Sequence, residues 1–121
     1  MKPQVINLKQ KLTLFQEQWS PKIVAQMNNY HFKIAKIQGD FITHSHPETD
    51  ETYIVISGQM QIEFEDGLVE LQSGEMIVVP RDIPHKPIAT QECHILMVEP
   101  AGTLNTGDTD SDRRISDLEW V

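Results

Sequence analysis

From residue 22 to residue 100 the chain is cut into short runs in which apolar side chains recur at every second position, and each run is broken by Gly, Pro or Asn. Side chains alternate across a β-strand, so a period of two predicts strands that bury one face. Ile23 to Met27, then Tyr30, Phe32 and Ile34 on one face against His31 and Lys33 on the other, read as two strands joined at Asn28-Asn29, with Gly39-Asp40 closing the hairpin. Residues 51–57 form the next strand and turn at Gly58. Residues 60–65 follow with Met60, Ile62 and Phe64 on one face, and Asp66-Gly67 turns the chain into 68–71. Ser73-Gly74 leads into 76–79, a run that reads as buried and is stopped by Pro80; a last strand covers 92–98 and is stopped by Pro100. Strands of this length at intervals of roughly 8 to 12 residues predict an all-β sandwich or barrel.

The flanks read differently. Leu8, Leu12, Phe15 and Trp19 recur at helical spacing behind Asn7, a good N-cap residue, and predict a short helix that ends before Ser20-Pro21 and packs its stripe on the barrel or on a partner subunit. Residues 102–112 are a polar loop, after which 115–120 are expected to dock as one helical turn. The 121 residues suit a single domain, with a barrel core at about 22–100 and a tail at 101–121, and such a chain buries about two-thirds of its unfolded surface.

Ten Lys and Arg against 18 Asp and Glu give a formal charge of −8, which repels phosphate backbones and anionic lipid, so nucleic acid is not expected as a partner. No segment has the 18 to 20 apolar residues of a membrane span, and residues 1–18 lack the apolar run of a signal peptide. The lone Cys93 cannot form an internal disulfide, and a cytoplasmic protein is expected. Strand edges and the apolar N-terminal stripe suggest a homodimer.

Two places carry chemistry. The first is His44-Ser45-His46, with Glu51 five residues beyond; the second is Pro80-Arg81-Asp82-Ile83-Pro84-His85. Histidines at i and i+2 of an extended segment point to the same side, so both imidazoles can reach one ion at about 2.0 to 2.2 Å. The turn-forming stretch Pro47-Glu48-Thr49-Asp50 lets the chain bend back and begin the next strand with Glu51 aimed at the same point. His85, behind a proline-rich turn, supplies a fourth ligand from a distant strand. His31 reads as exposed beside Lys33, His94 as a packed or surface residue, and Cys93 as a small buried apolar group without chemistry.

Gly39 to Gly58, with His44, His46 and Glu51 in step, resembles the first cupin motif, and Gly74 to His85, with Pro80 between, resembles the second. The resemblance implies a double-stranded β-helix (jelly-roll) barrel in which three histidines and one glutamate bind a metal. Three positions depart from the pattern: Gly39 precedes His44 by one residue fewer than usual, Asp82 stands where glycine is common, and Ala89 stands where asparagine is frequent. Asp82 therefore has to make the turn before His85 without glycine's freedom at positive φ.

A His3Glu set with open positions suits one divalent ion among Fe, Mn, Ni, Co and Zn, and affinity order does not choose between them. The expected activity is a metal-dependent reaction on a small polar or carbonyl-bearing molecule, with non-catalytic, metal-dependent ligand binding or sensing as the alternative. Tyr53, two residues after Glu51 and so on its face, is the one polar group that alternation places near the ion as a catalytic candidate.

Overall fold

The computed structural model describes residues 1–121. One helix, α1 (Leu8–Leu12), precedes seven strands: β1 (Lys22–Met27), β2 (Tyr30–Asp40), β3 (Glu51–Ser57), β4 (Gln59–Phe64), β5 (Gly67–Gln72), β6 (Met76–Val79) and β7 (Lys86–Pro100). All pairings are antiparallel. One side of the barrel runs β1-β2-β7-β3-β6, and β4 joins β7 to β5 on the other side. The long strand β7 serves both: its first residues pair with β4, from Lys86 against Glu63 to Ile88 against Gln61, and its later ones pair with β3. A register shift between Ile37 and Gly39 lets β2 bend with it.

Alternation fills the interior from every strand but β1. Ala35, Ile37, Tyr53, Val55, Met60, Ile62, Leu71, Val79, Ala89, Cys93, Ile95 and Met97 form one buried cluster, and each large member contributes about 1.5–3 kcal/mol by leaving water. The opposite face of β2 is buried too. Leu12 and Phe15 of the N-terminal segment cover Val24 and Ile34 on the outside of the sheet.

The structure corrects several expectations. The helix spans only Leu8–Leu12, capped as expected by Asn7, whose Oδ1 accepts from the Gln10 amide. Five residues are too few to propagate a helix by themselves, and Phe15 and Trp19 are instead placed by tertiary packing. Trp19 takes φ 58°, donates its backbone N–H to Lys36 O and stacks on Phe41 at 4.9 Å. The run 76–79 alternates: Val79 is buried, whereas Met76 and Val78 face outward and are exposed, because β6 is an edge strand with one face in the barrel. Ala89 takes no part in the His/Glu cluster but packs in the core.

Residues 115–120 form no helical turn. They dock in extended form, with Trp120 bridged to Ile23, the Ile23 N–H donating to Glu119 O and the Val121 N–H to Ile23 O. The open edge of β1 offers those groups, and pairing them satisfies both chains. Lys33, expected on a polar outer face, is 1% exposed and points into the barrel beside Ala35 and Ile37.

Candidate metal centre

Two short extended segments meet at one end of the barrel. His44 and His85 are paired residues of an antiparallel bridge, each N–H donating to the other's carbonyl at 2.9 Å. The flanking turn is tied to the same place: the Asp82 N–H donates to His46 O at 2.9 Å and the Arg81 N–H to Asp50 Oδ1 at 3.0 Å. Asp82 adopts φ 66°, the conformation that glycine would take without strain. Asp is among the few other residues that visit it, at a cost of order 1 kcal/mol, so this departure from the motif leaves the turn intact.

His44, His46, Glu51 and His85 come together here, all at most 5% exposed, with one ligand atom of each within 4.8 Å of the others. Donors bonded to one ion at about 2.1 Å lie about 3.0 Å apart when adjacent and about 4.2 Å when opposite, so the spacing is of the right size. The Glu51 carboxylate spans two imidazoles, with Oε2 3.0 Å from His46 Nε2 and Oε1 3.1 Å from His85 Nε2. His44 Nδ1 lies 3.0 Å from Ile42 O and His85 Nδ1 2.8 Å from Ile83 O. A carbonyl only accepts, so each Nδ1 carries a proton, and Nε2 is the nitrogen that each ring turns to the centre, where its lone pair would bind an ion. His44 Nε2 and His46 Nε2 are buried with no hydrogen-bond partner. Unpaired buried nitrogens are costly; a metal ion would satisfy them, and the donor set fits one.

The electrostatics favour deprotonated ligands. Burial, followed by the nearby His85, lowers the His44 pKa from 6.5 to about 4, so its imidazole is neutral at ordinary pH. Burial works to raise the Glu51 pKa, but the imidazoles of His46 and His85 facing its two oxygens outweigh it and hold the carboxyl well below the usual range. Tyr53 is buried on the same side as Glu51, its ring 6.0 Å from that of His85. Burial and the Glu51 charge push its hydroxyl well above 10, so it stays a neutral O–H.

Three groups near the centre were not legible in the motifs. A cavity of about 40 Å3 is lined by His44, Glu51 and Tyr53 together with Glu99, Trp19 and Phe41. Glu99 Oε1 accepts from Lys33 Nζ at 2.8 Å, deep in the barrel. Burial first, and the charge of Glu51 second, raise the Glu99 pKa well above the usual range, with Lys33 pulling the other way. Glu99 continues the inward alternation of Cys93, Ile95 and Met97, a signal that was present one residue beyond the expected strand end.

The other candidates lie elsewhere. His31 contacts Gln26 Oε1 and the edge of Trp120, and His94 contacts Glu92 Oε1 on the outside of the sheet. Cys93 is fully buried, and burial raises its pKa to about 11, which leaves it an unreactive thiol. No helix is long and apolar enough to cross a membrane.

Residues 30–99 match the family model for the cupin domain. A crystal structure of a cupin-2 domain containing protein from Shewanella frigidimarina is 48% identical over 79% of this chain and 94% of its own, with a TM-score of 0.79. The crystal structure of protein NMB1881 from Neisseria meningitidis is 32% identical over 81% of this chain and all of its own, with a TM-score of 0.74. A hydroquinone 1,2-dioxygenase solved with Cd2+ and 4-hydroxybenzonitrile, 17% identical over 76% of this chain and 70% of its own at a TM-score of 0.68, shares the fold. The uncharacterized protein YdbB of Bacillus subtilis is 27% identical over 64 residues, which are 52% of this chain and 57% of that protein.

Proposed function

This chain belongs to the cupin family, and on that premise we propose that it is a one-domain metalloprotein in which His44, His46, Glu51 and His85 hold one divalent transition metal and present it to a small polar or carbonyl-bearing molecule as a catalyst. The observation that carries this reading is the convergence of imidazole nitrogens on one carboxylate, with two Nδ1 atoms tied back to carbonyls and two Nε2 atoms unpaired. Bound there, such a metal supplies Lewis acidity toward a carbonyl or activation of water. The chain's own residues do the rest. Trp19, Phe41 and Ile95 give the adjoining cavity apolar walls, and Tyr53 offers a neutral hydroxyl beside Glu51. The dioxygenase that shares the fold was solved with Cd2+ and 4-hydroxybenzonitrile, a small ligand.

Metal analysis of the purified protein, followed by incubation of its Fe(II), Mn(II) and Ni(II) forms with a metabolite mixture read by mass spectrometry, tests this reading. A turned-over metabolite supports the enzyme. The alternative is a non-catalytic sensory or ligand-binding module, and a metabolite that raises the melting temperature yet returns unchanged from every form would establish it. A homodimer in the cytoplasm completes the reading, supported by the outward-facing Met76 and Val78 on the edge strand β6.

A further inference from the structure

Four side chains that are at most 5% exposed have almost no surface open to solvent. What closes this end of the barrel is the chain after β7. Thr106, in a segment without helix or strand, has no exposed surface, and Gly107 lies against the first motif so closely that a Cβ there would collide with Ser45 O and stand 3.2 Å from His44 Cδ2. The Asp108 N–H donates to Ser45 O at 2.9 Å, the Ser45 N–H donates back to Asp108 Oδ1 at 3.3 Å, and Thr109 Oγ1 donates to Thr43 O.

The fastening to the barrel runs through Arg113, which donates from a terminal nitrogen to Asp40 O at 2.8 Å and lies over the rings of Phe41 and Trp19 at 4.6 and 5.4 Å, while a second arginine holds the segment's own turns together. Arg114 donates from Nε to Thr106 Oγ1 at 2.8 Å and from one terminal nitrogen to Gly107 O and Thr109 O at 3.1 and 2.9 Å. Asn105 clasps the far side, donating to Arg113 O and accepting from the Ile115 N–H. No side chain of this segment belongs to either apolar cluster of the barrel except Val121 at its end. Two spaces lie on either side: the cavity of about 40 Å3, which Asn105 helps to wall, and a groove of about 420 Å3 that reaches His46 between residues 47–49 and 100–104. The cavity has room for on the order of three water-sized groups, whereas the groove can take a metabolite.

We propose that residues 101–115 are a latched strap that gates the centre, with Arg113 as the latch, and that ions and ligands pass from the groove at His46 to the cavity when the strap lifts off Ser45. The strap opens as a unit while the barrel stays folded, because polar bonds and the Arg113 side chain fasten it and a separate apolar core holds the strands. This rests on the metal reading of the four-residue cluster for its kinetic arm and is independent of it for its exchange arm.

The zinc-loaded full-length protein is mixed with 4-(2-pyridylazo)resorcinol, and zinc release is followed by absorbance for wild type, Arg113→Ala and Gly107→Ala. Hydrogen exchange is measured on the same three proteins without metal. Loss of the latch, a charged donor bonded to a strand carbonyl and seated over two aromatic rings, is expected to speed release at least tenfold in Arg113→Ala, and Gly107→Ala, whose Cβ holds the strap away from Ser45, is expected to do the same. The Gly107 and Asp108 amides of the wild type exchange by local opening, while those of β2 and β7 exchange only on global unfolding. Unchanged release in both variants, strap amides that exchange only with the strands, or loss of the barrel's circular dichroism in Arg113→Ala each overturns the gate. Wild type that takes up no zinc sinks the metal reading instead, and the exchange pattern still decides the strap.

Discussion

Replacing Lys33 by Met in the metal-free protein removes the ammonium that stands 2.8 Å from Glu99 Oε1, with the two side chains 1% and 3% exposed. Met keeps the length and volume of the Lys stem, so packing is little changed and the loss is electrostatic. Breaking a buried pair by removing one partner costs about 3–5 kcal/mol, because a carboxylate is left in a low-dielectric interior. An unfolding entropy of about 2.1 cal/mol/K per residue gives about 0.25 kcal/mol/K for this chain, so the Tm should fall by about 12–20 °C. Glu99 has one escape, which is to bind a proton; burial and Glu51 already favour that form, so the deficit should shrink as pH is lowered. The double variant Lys33→Met/Glu99→Leu leaves no charge stranded and should recover most of the lost stability. Thermal melts by circular dichroism at pH 5 and pH 8 on the four proteins of the cycle decide the matter. A Lys33→Met loss below about 1 kcal/mol, the range of exposed pairs, or a double variant no more stable than the single one, would refute the reasoning.

Other expectations follow from single positions. Because the His44 pKa is lowered from 6.5 to about 4, the unfolded chain binds a proton there that the folded protein refuses; the metal-free protein should lose about 3 kcal/mol as pH falls from about 6.5 toward 4, and a flat stability profile in urea melts across that window would contradict it. Asp82→Gly should stabilise the protein by about 0.5–1 kcal/mol by relieving the φ 66° turn, whereas Asp82→Ala should destabilise it, both read as urea midpoints. Cys93 should resist iodoacetamide at pH 8 in the folded protein and react once it is unfolded, as mass spectrometry would show. Light scattering at micromolar concentration should report a dimer, and a 13.9 kDa species would count against one.

The parts of this protein that could be read without a structure are those governed by short-range rules. The two-residue period of Met60 and Ile62, the Asn28-Asn29 hairpin and the stops at Pro80 and Pro100 are local, and the strands end near them. The four clustered residues were legible because extended spacing and a bend are also local. What escaped depends on which neighbour covers a face. Lys33 could not be told from an outward residue, because both faces of β2 are buried, one in the barrel and one beneath Leu12 and Phe15. The helical spacing of Phe15 and Trp19 was real, but their partners, Ile34 in β2 and Phe41 just beyond its end, come from another part of the chain. Residues 101–115 carry no periodicity, and contacts such as those of Gly107 and Arg113 show where they lie.

Metal content beside circular dichroism, for wild type, His46→Ala and His85→Ala at neutral pH, tests the central claim most directly. The barrel has a core of its own that does not include the cluster, so a metal ion should add stability without being needed for folding. The account predicts one divalent transition metal per wild-type chain, none in either variant, and the same strand signal in all three; stoichiometric metal retained by both variants would contradict it.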